Sequence, residues 1–163
     1  MDSSELDDLC ARIDATGYTY HTRNDSNGNK LVCVALPNGT PLVTKLKELG
    51  LWQNKHIPDE YCYSSVEQRL SLIQGLMDTD GFIDRRTGGA SLSQCVAHGS
   101  IIEKAAQILR SLGFKVSDSL VYKSCGGKKF PQRLLHFRPD LSMPVVRMPR
   151  KLARLQPARP VNA

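Results

Sequence analysis

Ser64-Ser-Val-Glu-Gln-Arg-Leu-Ser-Leu-Ile-Gln-Gly-Leu-Met-Asp-Thr-Asp-Gly81 is the stretch on which the reading of this 163-residue chain turns. Ser64 and Glu67 have the spacing of a capping box, in which each side chain satisfies a free backbone N–H at a helix start. Apolar residues at 66, 70, 73, 76 and 77 follow the spacing of one helical face. The stretch ends at Asp78-Thr79-Asp80-Gly81, where Gly81 suits a left-handed helix stop. Gly75 stands mid-helix, at a cost of about 1 kcal/mol against alanine. Asp78 and Asp80 put two acids at the helix end whose dipole favours cations. Local conflicts gathered this closely mark functional sites.

Ordinary readings compete with that one. Gly75 could pack under a large side chain, and Asp78 and Asp80 could be turn formers. A calcium loop is excluded. It would need further oxygen ligands after the glycine and a closing glutamate, whereas Phe82-Ile-Asp-Arg-Arg86 follows.

Ile73-Gln-Gly-Leu-Met-Asp-Thr-Asp-Gly81 resembles the LAGLIDADG motif of homing endonucleases. Lys55-His-Ile-Pro58 resembles the K-x-I-P block of their intein-borne and free-standing members. Ser100-Ile-Ile-Glu-Lys-Ala-Ala-Gln-Ile-Leu-Arg-Ser-Leu-Gly113 resembles their later helix block. The three blocks stand in the family's order and cover roughly residues 40 to 155.

Around this centre, the chain is long enough to bury a core. It has 40% apolar residues and no run approaching a membrane span. No charged-then-apolar signal segment opens it, so an intracellular, unsecreted protein is expected. Five cysteines at 10, 33, 62, 95 and 125 are odd in number and never spaced C-x-x-C. They read as reduced thiols, with Cys33 and Cys95 in strand-like packing positions.

The net charge of +6 hides an asymmetry. Residues 1–81 hold 7 Lys/Arg and 12 Asp/Glu, a net of −5; residues 82–163 hold 15 and 4, a net of +11. An excess this one-sided points to a polyanion, most simply nucleic acid.

Residues 4–16 read as a helix stopping at Gly17, and 18–36 as a hairpin turning at Asn24-Asp-Ser-Asn-Gly28. Thr40-Pro41 reads as the N-cap and first residue of a second helix that runs to Gly50. After the motif comes a hairpin, Phe82 to Arg86 and Ala90 to Ala97. A helix from Ser100 to Leu112 follows, with its own Ser100-x-x-Glu103 box and Gly113 stop. A further hairpin turns at Ser124-Cys-Gly-Gly127, and a short helix spans Pro149 to Leu155. The paired helix ends Asp14-Ala-Thr-Gly-Tyr18 and Arg110-Ser-Leu-Gly-Phe114 support an internal repeat.

The expected class is α+β, the homing-endonuclease fold of α-β-β-α-β-β-α repeats with an antiparallel DNA-binding saddle. The first repeat, residues 1–58, lacks its motif helix. The second, 59–155, is complete, and 156–163 is a tail expected to be disordered. The chain thus resembles one and a half repeats, as an intein-endonuclease fragment, a gene that has lost its front, or a single-motif member that homodimerises.

The resemblance implies that two motif helices pack with Gly75 inward and bring Asp80 of each to a shared centre. There Asp80 would bind Mg²⁺ for phosphodiester hydrolysis of double-stranded DNA, and Asp78 would cap and brace the helix interface. His98 would orient the attacking water. Arg147 would stabilise transition-state charge, with Lys151 as the alternative. Alternation places Ser91, Ser93 and Cys95 on one strand face and Leu92 and Val96 on the other. Asp84, Arg86, Lys115, Lys123, Lys128, Lys129 and Arg133 are the remaining candidates for DNA contact. Two other functions compete: a DNA-binding remnant without cleavage, and an intron-RNA maturase of the same fold. Splicing chemistry is not visible, since Val161 stands before Asn162 where a histidine would be needed.

Overall fold

The computed structural model describes residues 3–96, 99–139 and 141–157. The chain divides between Lys55 and His56 into two compact units. The expected linker, ending at Pro58, straddles this division. The α+β class is as expected.

The first unit runs helix, hairpin, helix: α1 (Ser3–Ala15), β1 (Thr19–Asn24), β2 (Lys30–Ala35) and α2 (Leu42–Glu48). Asp25 builds the hairpin turn by accepting the Asn27 and Asn29 backbone N–H groups, each at 2.8 Å. Gly28 follows at φ +80°, a conformation that suits glycine. The start of α2 differs from expectation. Pro41 is itself the N-cap, with no side-chain cap. Thr40 is held in the preceding turn, where its N–H donates to Asn38 and its C=O accepts from Leu36. Cys10 is the one buried apolar residue described in this unit.

The second unit begins with a 3₁₀ turn, Asp59–Cys62. Then come α3 (Val66–Thr79), β3 (Phe82–Ile83), β4 (Ala90–Cys95), α4 (Gly99–Ser111), β5 (Ser117–Cys125), β6 (Lys128–Phe137) and α5 (Pro149–Leu152). The four strands form one antiparallel sheet in the order β3-β4-β6-β5. The β5–β6 turn has Gly126 at φ +56° and Gly127 at φ +76°, the two positive angles that a tight primed hairpin turn requires.

One face of the sheet carries Ile83, Ala90, Leu92, Leu135 and Phe137 into a core with Ile73 and Met77 of α3 and Ile102, Ala105, Ile108 and Leu109 of α4. Fully burying each of the larger side chains contributes roughly 1.5–3 kcal/mol. The β5–β6 hairpin runs past this layer, so Leu120 and Tyr122 remain exposed although they sit on the helix side.

Both capping boxes differ from the sequence reading. At α3 the box is Ser65 and Gln68, each bonded to the other's backbone N–H at 3.3 Å. Ser64 instead stands one residue before the cap, its hydroxyl donating to Tyr61 C=O in the 3₁₀ turn. Glu67 lies in the first turn, where its own backbone N–H and then the Ser65 hydroxyl hold its carboxyl below the ordinary carboxylate range. At α4 the helix already includes Gly99, and Glu103 pairs with Arg133 instead of capping.

Candidate active site

The C-terminal end of α3 is tied to residues 144–156 by a series of hydrogen bonds. Gln74 donates to Pro144 C=O at 2.7 Å. The Asp78 carboxylate accepts the N–H groups of Arg147 and Met148 at 2.8 and 3.0 Å. Lys151, only 5% exposed, donates its ammonium to the carbonyls of Met77, Asp78 and Gly81 at 2.7, 2.8 and 2.6 Å. Farther along, Arg154 reaches Ile83 C=O and Gln156 reaches Arg86 C=O. The segment therefore runs beside the motif end and β3 like a strap.

This resolves the electrostatic conflict in the sequence. The cation that the helix dipole favours is Lys151, supplied from far along the chain. Asp78 turns toward the approach to α5. Asp80, the C-cap in an αR conformation, is left exposed, and its carboxylate has no hydrogen bond or ion pair among the described residues.

The two glycines of the motif have roles that the sequence did not separate. Gly81 does not have a positive φ, so it is not the left-handed stop expected of it. It is required sterically: a Cβ there would lie 2.6 Å from Met77 Cα and equally close to its sulfur and terminal methyl. Gly75 is half-buried, and a Cβ added to it meets nothing within 4 Å among the described residues.

Of the other expected catalytic residues, Lys151 is a buried helix cap rather than a solvent-facing acid. Arg147 is partly exposed, its Nε 3.7 Å from Asp78. His98 lies outside the described residues. No cluster of three or more His, Cys, Asp or Glu able to hold a metal occurs among the described residues.

The sheet face opposite the core is the second feature. Residues directly opposite one another across an antiparallel ladder share a face. The register gives rows Phe82–Ser91–His136–Ser117, Ser93–Leu134–Ser119 and Cys95–Gln132–Val121, continued by Lys123–Phe130. None of these is buried. Ser91, Ser93 and Cys95 thus share the open face as the alternation required, together with Lys123, whose ammonium donates to Ser93 at 2.9 Å. Lys128 is on the same face at the hairpin tip.

Other candidate contact residues lie elsewhere. Arg133 is on the helix side, paired with Asp118 and Glu103 and held more basic chiefly by Asp118, so its charge is neutralised within the fold. Lys129 pairs in register with Ser124 and also belongs to that side. Asp84 is a turn builder. Its carboxylate accepts from Thr87 and Arg86, which hold it below the ordinary range, the Thr87 backbone N–H contributing most. Arg86 sits in the same turn, and Lys115 precedes β5. His136, Gln132, Ser117 and Ser119 are open-face residues that the sequence reading passed over; strict alternation backward from the apolar Leu135 and Phe137 would have found the first two.

The second unit thus presents an antiparallel sheet with one open face of mixed polar and apolar residues, beside a glycine-bearing helix that ends in an exposed acid. Residues 56–133 match the family model described as homing endonuclease. The chain is also similar to a protein named replicative DNA helicase DnaB from Mycobacterium intracellulare. The two are 36% identical over 78 residues, 48% of this chain and 13% of that protein. No described helix is long and apolar enough to cross a membrane.

Proposed function

We propose that the second unit is a LAGLIDADG-type endonuclease half that binds double-stranded DNA on its open sheet face and cuts it through Asp80. The observation that supports this most is the isolation of that carboxylate. The Asp78 carboxylate, the Thr79 hydroxyl and the Met77, Asp78 and Gly81 carbonyls are engaged in the fold, while the Asp80 carboxylate is exposed and unpaired among the described residues. One acid per chain holds a divalent metal ion only weakly. The open space over Gly75 gives the remedy: a second motif helix packs there and brings a second acid alongside the first. That helix comes from another copy of the chain or from a missing half.

A magnesium ion fits this donor set, because hard carboxylate oxygens and retained waters suit it. Such an ion would polarise the phosphodiester and stabilise the attacking and leaving oxygens. Asp80 would hold it, since the carbonyls of Met77, Asp78 and Gly81 are already engaged by Lys151. Within this reading, Lys123 and Lys128 position the phosphate backbone, and Ser91, Ser93, Gln132 and His136 face the base edges. Arg147, beside Asp78, remains the candidate for transition-state charge.

The match to a 13% segment of a helicase-named protein supports an element carried inside a host coding sequence, as an intein endonuclease is. The single acid per chain also keeps a DNA-binding remnant in play. Incubating micromolar protein with a randomised duplex library and Mg²⁺, then capturing cut ends, decides between them. The nuclease yields one enriched sequence cut on both strands. Enrichment of bound duplex without cut ends leaves the remnant; no enriched duplex, with selection from a parallel pool of structured RNA instead, leaves the maturase.

A further inference from the structure

We propose that Lys151 is the positioning residue for Asp80: its buried ammonium pins the carbonyls of Asp78 and Gly81, before and after the acid, and so sets the backbone from which the carboxylate projects. This rests on the reading of Asp80 as the acid of the site. Two of the carbonyls that Lys151 binds, Asp78 and Gly81, bracket residue 80, and the third, Met77, lies one residue further back. Between them Asp80 adopts φ −103° and ψ −8°. The Asp80 side chain has no partner of its own among the described residues, so the backbone alone fixes the direction in which its Cα–Cβ bond leaves the chain.

The chemistry suits lysine in particular. An ammonium presents three donors from one compact centre, which matches three converging carbonyls. A guanidinium is planar and larger, and its fork suits carboxylates instead. The site is also closed. Lys151 is 5% exposed, Gly81 admits no Cβ, and Asp78 holds the approach to α5 that carries Lys151 into place. Lys151 therefore does not reach DNA and is no proton donor to the reaction. The strap from 144 to 156 belongs to the working end of the motif, although it is some seventy residues away in sequence.

The test uses the full chain and two readouts other than activity. The first is amide hydrogen exchange at residues 80–82, compared with the sheet residues Leu92 and Leu135. The second is the Mn²⁺ concentration that broadens amide signals of residues 79–82 in NMR spectra. Lys151→Met should speed exchange at 80–82 by about tenfold relative to Leu92 and Leu135. It should also raise the Mn²⁺ requirement about tenfold or more, the range of a lost supporting contact to a metal ligand. Lys151→Gln, which keeps a donor and loses the charge, should fall between and serves where the methionine variant does not fold. Exchange and Mn²⁺ midpoints within twofold of the wild type would overturn the proposal, as would exchange that rises equally at Leu92 and Leu135. Asp80→Asn separates the two layers. If that variant leaves Mn²⁺ broadening intact, the reading of Asp80 fails, while the exchange result for Lys151 is still read independently.

Discussion

Two glycines six positions apart in the motif should respond to the same substitution with opposite sign. In Gly81→Ala the new Cβ would sit 2.6 Å from Met77 Cα, where carbon atoms normally approach to about 3.5–4.0 Å. About 1 Å must be found, and it cannot come from a rotamer because one clashing atom is backbone. Overpacking of this kind costs about 1–3 kcal/mol, offset by about 0.4–1 kcal/mol from the stiffer unfolded chain. A net loss near 1–2 kcal/mol lowers Tm by about 4–8 °C per kcal/mol in a domain of this size. In Gly75→Ala the Cβ meets nothing, and alanine is the better helix former by about 1 kcal/mol. That variant should be more stable by about 0.5–1 kcal/mol in the free chain. It should nonetheless lose cleavage, because the added methyl occupies the space a second helix needs. Urea denaturation of both variants, followed at two wavelengths, measures the pair. A Gly75→Ala chain less stable than wild type, or a Gly81→Ala chain of equal stability, would refute the packing argument.

Asp78→Ala should cost about 1–2 kcal/mol by removing the cap on the Arg147 and Met148 N–H groups, with Asp78→Asn losing less because one acceptor remains; urea melts compare them. Arg133→Gln should lose on the order of 1 kcal/mol of stability and leave the salt dependence of duplex binding unchanged. Lys123→Gln should do the reverse, reducing the log K against log salt slope by about 0.9. Asp84, held below its ordinary 3.8, supports the β3–β4 turn above that pH and ceases to do so as pH falls through its depressed value. Exchange protection of the Thr87 amide should therefore persist through pH 3.8 and fade only in stronger acid, as NMR can follow.

The sequence carried the element order of both units, because each helix and hairpin is marked locally. Gly17, Gly28 and Gly113 stand at turns, apolar residues repeat along α3, and Gly126-Gly127 closes the last hairpin. Asp80 was legible as an acid at the end of a motif helix. The groups around it were not. Lys151 looked like one more surface cation in a basic run, since nothing in a linear pattern says that its ammonium meets three carbonyls some seventy residues earlier. Gly81 was read as a conformational stop because local grammar offers that explanation first, whereas its real constraint is the contact with Met77. Arg133 was counted with the basic cluster by sign alone. The ladder register, invisible in composition, turns it to the helix side, where Asp118 and Glu103 await it.

Asp80→Asn on a duplex recovered by the wild-type chain tests the central claim most directly. The substitution leaves shape and strap intact, so binding should stay within about threefold while Mg²⁺-dependent cutting falls at least about a hundredfold. A variant that still cuts at the wild-type rate, or one that loses binding together with cutting, would contradict the assignment of Asp80 as the acid of the site.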